Sequence, residues 1–157
     1  MSSVAEPVPP RWFLHAQTFE RAGIIERPGV DAHPTILSFF NYTTLKGTKY
    51  AKSDESAWCS AFVCAMFEQV GIRGTKSAAA ASWEKWGVEL LNPRLGCVVV
   101  SKRILKDGTE GRHVALYAGH IDAKHYASLG GNQNNCVCTK SHAYADTVTY
   151  RWPTGES

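Results

Sequence analysis

Trp58-Cys59-Ser60-Ala61-Phe62-Val63 begins the stretch whose reading decides the fold. Apolar residues recur at Phe62, Val63, Met66, Phe67 and Val70, and Gly71 follows. That period of about 3.6 with a glycine stop predicts a largely buried helix. Cys59 then falls in its first turn, where free backbone N–H groups and the positive end of the helix dipole gather. Such a position lowers the pKa of a thiol and favours the thiolate, the nucleophilic form. Taken alone, Cys59 reads equally as a small core residue. A nucleophile needs a base, an orienting group and an oxyanion donor.

Composition narrows the field. The chain has 157 residues, 44% of them apolar, which suits one domain around one core. Residues 1–10 are polar and proline-rich and read as a flexible arm; 11–153 read as the domain. A net charge of +3 with no basic run makes no case for nucleic acid, although a mildly basic surface suits an anionic polymer. No signal-peptide core and no segment of membrane-spanning length is present, so the expectation is synthesis in the cytoplasm without membrane insertion. The five cysteines are Cys59, Cys64, Cys97, Cys136 and Cys138. An odd count argues against a disulfide framework. Cys136 and Cys138 share a strand face, and with a histidine they would make an unusual zinc site, since C-x-C is not the common ligand spacing. No metal or other cofactor is expected.

Helices come first along the chain. Arg11 to Ala22 has helical apolar spacing, and a second short helix starts at His33-Pro34. Asn41 to Ala57 is a long polar loop that leads to Cys59; Asp54, Glu55 or Ser56 is placed to cap the helix or, less simply, to meet a substrate. Glu26 reads as a turn support or a residue near a cleft. Ser77 to Trp86 predicts a helix with Trp83 and Trp86 on one face, packed in the core. From Gly96 the period changes to strands: Gly96–Val100, a strand starting at His113, Lys124–Leu129, Cys136–Lys140 and Thr147–Arg151, with Ser101–Arg112 as a polar loop. Helices followed by strands predict an α+β fold, helices packed on a mainly antiparallel sheet.

Partners for Cys59 emerge from that layout. His113 heads a strand, at the sheet rim, and a neutral imidazole can take and return a thiol proton. Gly130-Gly131-Asn132-Gln133 reads as a turn after the neighbouring strand. Asn132 is the chosen orienting amide, as in a Cys–His–Asn arrangement, with Gln133 alternating to the other side. The oxyanion donor is the backbone N–H of Cys59. Trp58, Ser60, Asp54, Arg112 and Gln133 complete the set as supporting or substrate-contacting candidates. The expectation is a sulfur open to solvent at the floor of a groove, with the ring of His113 beside it.

Four segments carry a resemblance: Trp58–Val63, Gly96–Val100, Arg112–Tyr117 and Gly130–Asn134. Together they resemble the papain-like cell-wall hydrolases of the NlpC and CHAP type, in particular a small phage and bacterial group with a W-C-S-A-F-V helix start, a G-H-V strand start and an L-G-G-N-Q turn. The resemblance runs from about Trp12 to Pro153. Arg112 departs from the family's glycine before the histidine, and either narrows the cleft or adds a positive contact. The resemblance implies hydrolysis of an amide bond in peptidoglycan by Cys59, His113 and Asn132. It implies a stem-peptide endopeptidase or an N-acetylmuramoyl-L-alanine amidase, delivered as a phage lysin or by contact-dependent (type VI) secretion, the latter with an immunity protein as partner. The alternatives are a catalytically inactive wall-peptide or protein-binding module on the same fold, and a metal protein built on Cys136 and Cys138.

Overall fold

A computed structural model describes residues 6–27, 33–47 and 58–157. Three α-helices, α1 (Arg11–Arg21), α2 (Pro34–Phe39) and α3 (Cys59–Glu68), precede six strands. These are β1 (Val88–Leu90), β2 (Val98–Ile104), β3 (Glu110–His120), β4 (His125–Gln133), β5 (Cys136–Ala143) and β6 (Thr147–Trp152). They form one sheet in the order β1-β6-β2-β3-β4-β5, and every neighbouring pair is antiparallel. The expected α+β class and antiparallel sheet are present.

The core is assembled around α3. All of its residues except Glu68 are buried, because it lies between β3 and β4 on one side and α1 and α2 on the other. A helix enclosed all round needs apolar residues all round, which Cys59–Phe67 supplies apart from Ser60. Phe62 meets Phe39 with ring centroids 5.4 Å apart. Phe67 meets Trp12 at 5.3 Å and Trp86 at 4.7 Å. Fully burying such phenylalanines contributes about 1.5–3 kcal/mol each. Buried polar groups at this centre are paired. Trp83 Nε1 donates to Ser60 Oγ at 2.8 Å, and Ser60 Oγ donates to the carbonyl of Ser77 at 2.6 Å. Trp12 Nε1 donates to the carbonyl of Gly96 at 2.7 Å.

Several elements differ from expectation for identifiable reasons. Ala80–Lys85 is a 3-10 helix rather than part of a longer α-helix. Three residues per turn eclipse positions i and i+3, so Trp83 and Trp86 pack against each other at 4.8 Å while Trp83 reaches Ser60. The polar stretch after Val100 is mostly strand: β2 continues to Ile104 and β3 begins at Glu110. His113 is therefore the fourth residue of β3, paired with Ser101, rather than its first. Gly130-Gly131-Asn132-Gln133 is the end of β4, not a turn. The turn is Asn134-Asn135, both at positive φ (52° and 62°), the conformation that a two-residue hairpin favours. At the start of β5, Cys136 also bridges Ile25, and Val137 N–H donates to the carbonyl of Ile24 at 2.9 Å.

Gly131 of β4 lets α3 and its cap residue Trp58 come close. A Cβ on Gly131 would lie 2.6 Å from the ring of Trp58 and 2.7 Å from Cβ of Phe62. Gly131→Ala is expected to destabilise the protein by about 1–3 kcal/mol through overpacking, read as a lower urea midpoint with unchanged slope.

Candidate active site

The first turn of α3 positions Cys59 as the sequence implies. The backbone N–H groups of Cys59, Ser60 and Val114 favour its thiolate, and so does the charge of Arg103. Val114 is the residue after His113, so α3's N-terminus is set against the start of the buried part of β3. The outcome for the thiol is the reverse of the expectation. Burial is the largest influence and pushes the pKa of Cys59 up, beyond what the amides and Arg103 offset. Cys59 is 4% exposed, far from an open groove floor. At neutral pH the sulfur keeps its proton until a base removes it.

His113 is 8% exposed. Its Nε2 lies 3.0 Å from Oε1 of Gln133. The orientation of that amide follows from its other end: Nε2 of Gln133 donates to the carbonyls of Ser128 at 3.1 Å and Cys138 at 2.6 Å. With two carbonyls holding the NH2 group, the oxygen must face the imidazole and accept from it. His113 then carries its proton on Nε2 and leaves Nδ1 with a free lone pair. Burial lowers the pKa of His113, outweighing the bond to Gln133, which raises it; nearby Arg103 and Lys140 lower it further.

The orienting amide is therefore that of Gln133, not Asn132. The cause is a β-bulge. Gly130 pairs with Cys138 and Gln133 with Cys136, so β4 takes three steps where β5 takes two. Asn132, at φ 56°, absorbs the extra residue. Regular alternation would put residue 132 on the face of Gly130; the inserted residue brings Gln133 there instead. Asn132 remains at the rim of the adjoining cleft.

A second histidine joins the same oxygen. Nε2 of His142, on β5, lies 2.9 Å from Oε1 of Gln133, and Ser128 Oγ donates to it at 3.1 Å. The rings of His113 and His142 stack 5.5 Å apart at 19°. Burial, then the proximity of His113 and Lys140, lowers the pKa of His142 to about 4. The strand expected over Cys136–Lys140 stops short of His142, which β5 includes. The usable signal was the period of two along β5, which puts Cys136, Cys138, Lys140 and His142 on one face. Both histidines border a cleft of about 190 Å³ whose lining includes the cations Lys102, Arg103 and Lys140 and no acid.

The supporting candidates divide. Trp58 is fully buried and its Nε1 donates to Glu26 Oε1 at 2.7 Å, so both brace the site, and Glu26 lies beside it. Ser60 is committed to Trp83 and Ser77. Arg112 neither narrows the cleft nor adds a contact there. Neighbouring side chains on a strand face opposite ways, so it turns from His113 and pairs with Glu110 at 2.9 Å and Glu84 at 3.6 Å. Asp54, with Glu55 and Ser56, lies outside the described residues, and no side chain caps α3 at Trp58. Among the described residues no three His, Cys, Asp or Glu side chains gather as a metal site, and no helix is long and apolar enough to cross a membrane. Comparison with protein-family models, curated proteins and solved structures finds no match.

The histidine pair makes the fold acid-sensitive. Unfolded histidine titrates near 6.5 and folded His142 near 4, so between these values the unfolded chain binds more protons. Stability is complete above about pH 6.5 and is lost as pH falls toward 4. Because His142 is only half-buried, the contribution is about 1–2 kcal/mol after discounting for solvent screening. Urea titrations at several pH values are expected to show this loss, and His142→Gln to reduce it.

Proposed function

We propose that the protein is a cysteine hydrolase cleaving an amide bond in peptidoglycan, built on a papain-like fold of the NlpC and CHAP type. The observation that carries this reading is the Gln133–His113 hydrogen bond, which fixes the imidazole tautomer one residue before Val114, whose backbone N–H meets Cys59 at the start of α3. A nucleophile, a base and an orienting amide come from α3, β3 and β4 in turn. The resemblance of the four sequence segments supplies the substrate class. The cationic, acid-free cleft lining suits an anionic polymer.

In the proposed reaction Nδ1 of His113 takes the proton of Cys59 as Sγ attacks the carbonyl carbon. Backbone N–H groups at the first turn of α3 hold the developing oxyanion. His113 returns the proton to the leaving amine, and the acyl group stays on sulfur as a thioester. Water, deprotonated by His113, then releases the acid and the thiol. The bond cut is either within the stem peptide or between the stem and N-acetylmuramic acid. Delivery as a phage lysin or as a secreted effector with a cognate immunity protein belongs to the same proposal.

Burial of Cys59 favours a second reading, an inactive module that grips wall peptides or a partner protein. Incubation with purified peptidoglycan and mass analysis of soluble fragments separates the two. The enzyme reading expects fragments from the wild type and at least a thousandfold less from Cys59→Ala, on the order seen when a nucleophile is removed. Equal release by both proteins overturns it; wall binding without release by either supports the module. The lowered pKa of His113 also sets the pH response: the base stays neutral below 6.5, so the acid limb of the rate profile is expected below that value.

A further inference from the structure

Cys136 and Cys138 take no part in the proposed reaction, yet they touch the residue that orders His113. They sit two residues apart on one face of β5. Their sulfurs are 2.7 Å apart. Both thiols donate to one acceptor, the main-chain carbonyl of Gln133, at 2.9 Å from Cys136 and 3.0 Å from Cys138. The bulge in β4 is what carries that carbonyl between them. Both residues are partly exposed, unlike Cys59, Cys64 and Cys97. A disulfide holds its sulfurs at about 2.05 Å. The strand has thus already brought this pair inside ordinary contact distance, with only a small closure left.

We infer that Cys136 and Cys138 form a redox site, converted reversibly to a disulfide by small disulfide oxidants, and that Gln133 transmits the change to His113. The exchange balances as follows. Cys136 gives its proton to solvent, and its sulfur attacks one sulfur of the oxidant; the oxidant's S–S bond breaks and one thiolate leaves. Cys138 then gives up its proton as its sulfur attacks that of Cys136, and the second small thiol departs. Two protein thiols have lost two electrons and two protons, and the small disulfide has become two thiols. Burial, with Cys136 as neighbour, pushes the Cys138 thiol up to about 12, so Cys138 holds its proton until the mixed disulfide beside it draws its sulfur in.

The disulfide has no S–H to donate, so the carbonyl of Gln133 loses both of its thiol donors on oxidation. The same two residues are joined a second time, since Nε2 of Gln133 donates to the carbonyl of Cys138 at 2.6 Å. Moving the backbone of β5 to close the bond therefore moves the anchor of the Gln133 amide. His113 and His142 both depend on that amide's oxygen. Oxidation loosens the hold on the two rings; reduction restores it.

The full chain is treated with oxidised glutathione, free thiols are blocked, and intact mass and peptide mapping are read. The expected product has lost the mass of two hydrogens, mapped to Cys136–Cys138, and regains it with dithiothreitol. Cys138→Ser is expected to stop with one glutathione on Cys136. No reaction, stable glutathione on both residues, or a bond to another cysteine overturns the redox site. In parallel, imidazole nitrogen NMR compares reduced and oxidised wild type. A shift of the His113 Nε2 signal, absent when Cys136→Ser is treated alike, supports transmission through Gln133; identical His113 signals in both states overturn it. Neither measurement reads hydrolysis, so their failure and failure of the proposed reaction are separate results.

Discussion

The side chain of Gln133 is held at both ends, and the site's geometry follows from that. Its nitrogen is committed to two main-chain carbonyls and its oxygen to two imidazoles and a hydroxyl. The residue is 3% exposed, so water does not replace any of these partners cheaply. A buried network of this kind specifies one arrangement only if every member is satisfied. Here the amide has one orientation, each histidine has one tautomer, and both rings are fixed in a stack. Beside the bulge that delivers Gln133, Trp58 and Phe62 pack closely on Gly131. Core packing and site chemistry thus meet at the last four residues of β4.

Much of this was legible in the chain. The periodic apolar run after Trp58 identified α3 to within its first residue, and the change of period near Gly96 separated helices from sheet. The place of Cys59 at the start of α3 followed from a local signature, whereas His113, expected to head its strand, is the fourth residue of β3. What alternation alone missed was the extra residue at Asn132. A bulge depends on pairing with β5, which no window of β4 contains, so the count of twos placed Asn132 where Gln133 sits. His142 escaped for the same reason: its role exists only once β4 and β5 are paired. The helix expected over Ser77–Trp86 became a 3-10 segment because Trp83 is drawn to Ser60, a contact between residues 23 apart.

Electrostatics at the site are governed by dehydration more than by charge. Helix-terminal amides and Arg103 do favour a thiolate at Cys59, but the cost of an ion in a buried position outweighs them. The same cost keeps His113 and His142 neutral. Cys59, His113 and the half-buried His142 are thus all neutral at pH 7, with no standing ion pair among them.

The two outer strands of the sheet have a bearing on how the molecule behaves in crowded solution. β1 is three residues long, and β5 is overlapped at its start by the pairing of Ile24 and Ile25 with Val137 and Cys136. Lys140 adds a cation further along β5. Short, covered or charged borders offer a poor template for strand addition. A sheet bordered in this way leaves few free main-chain groups for a neighbouring chain to pair with.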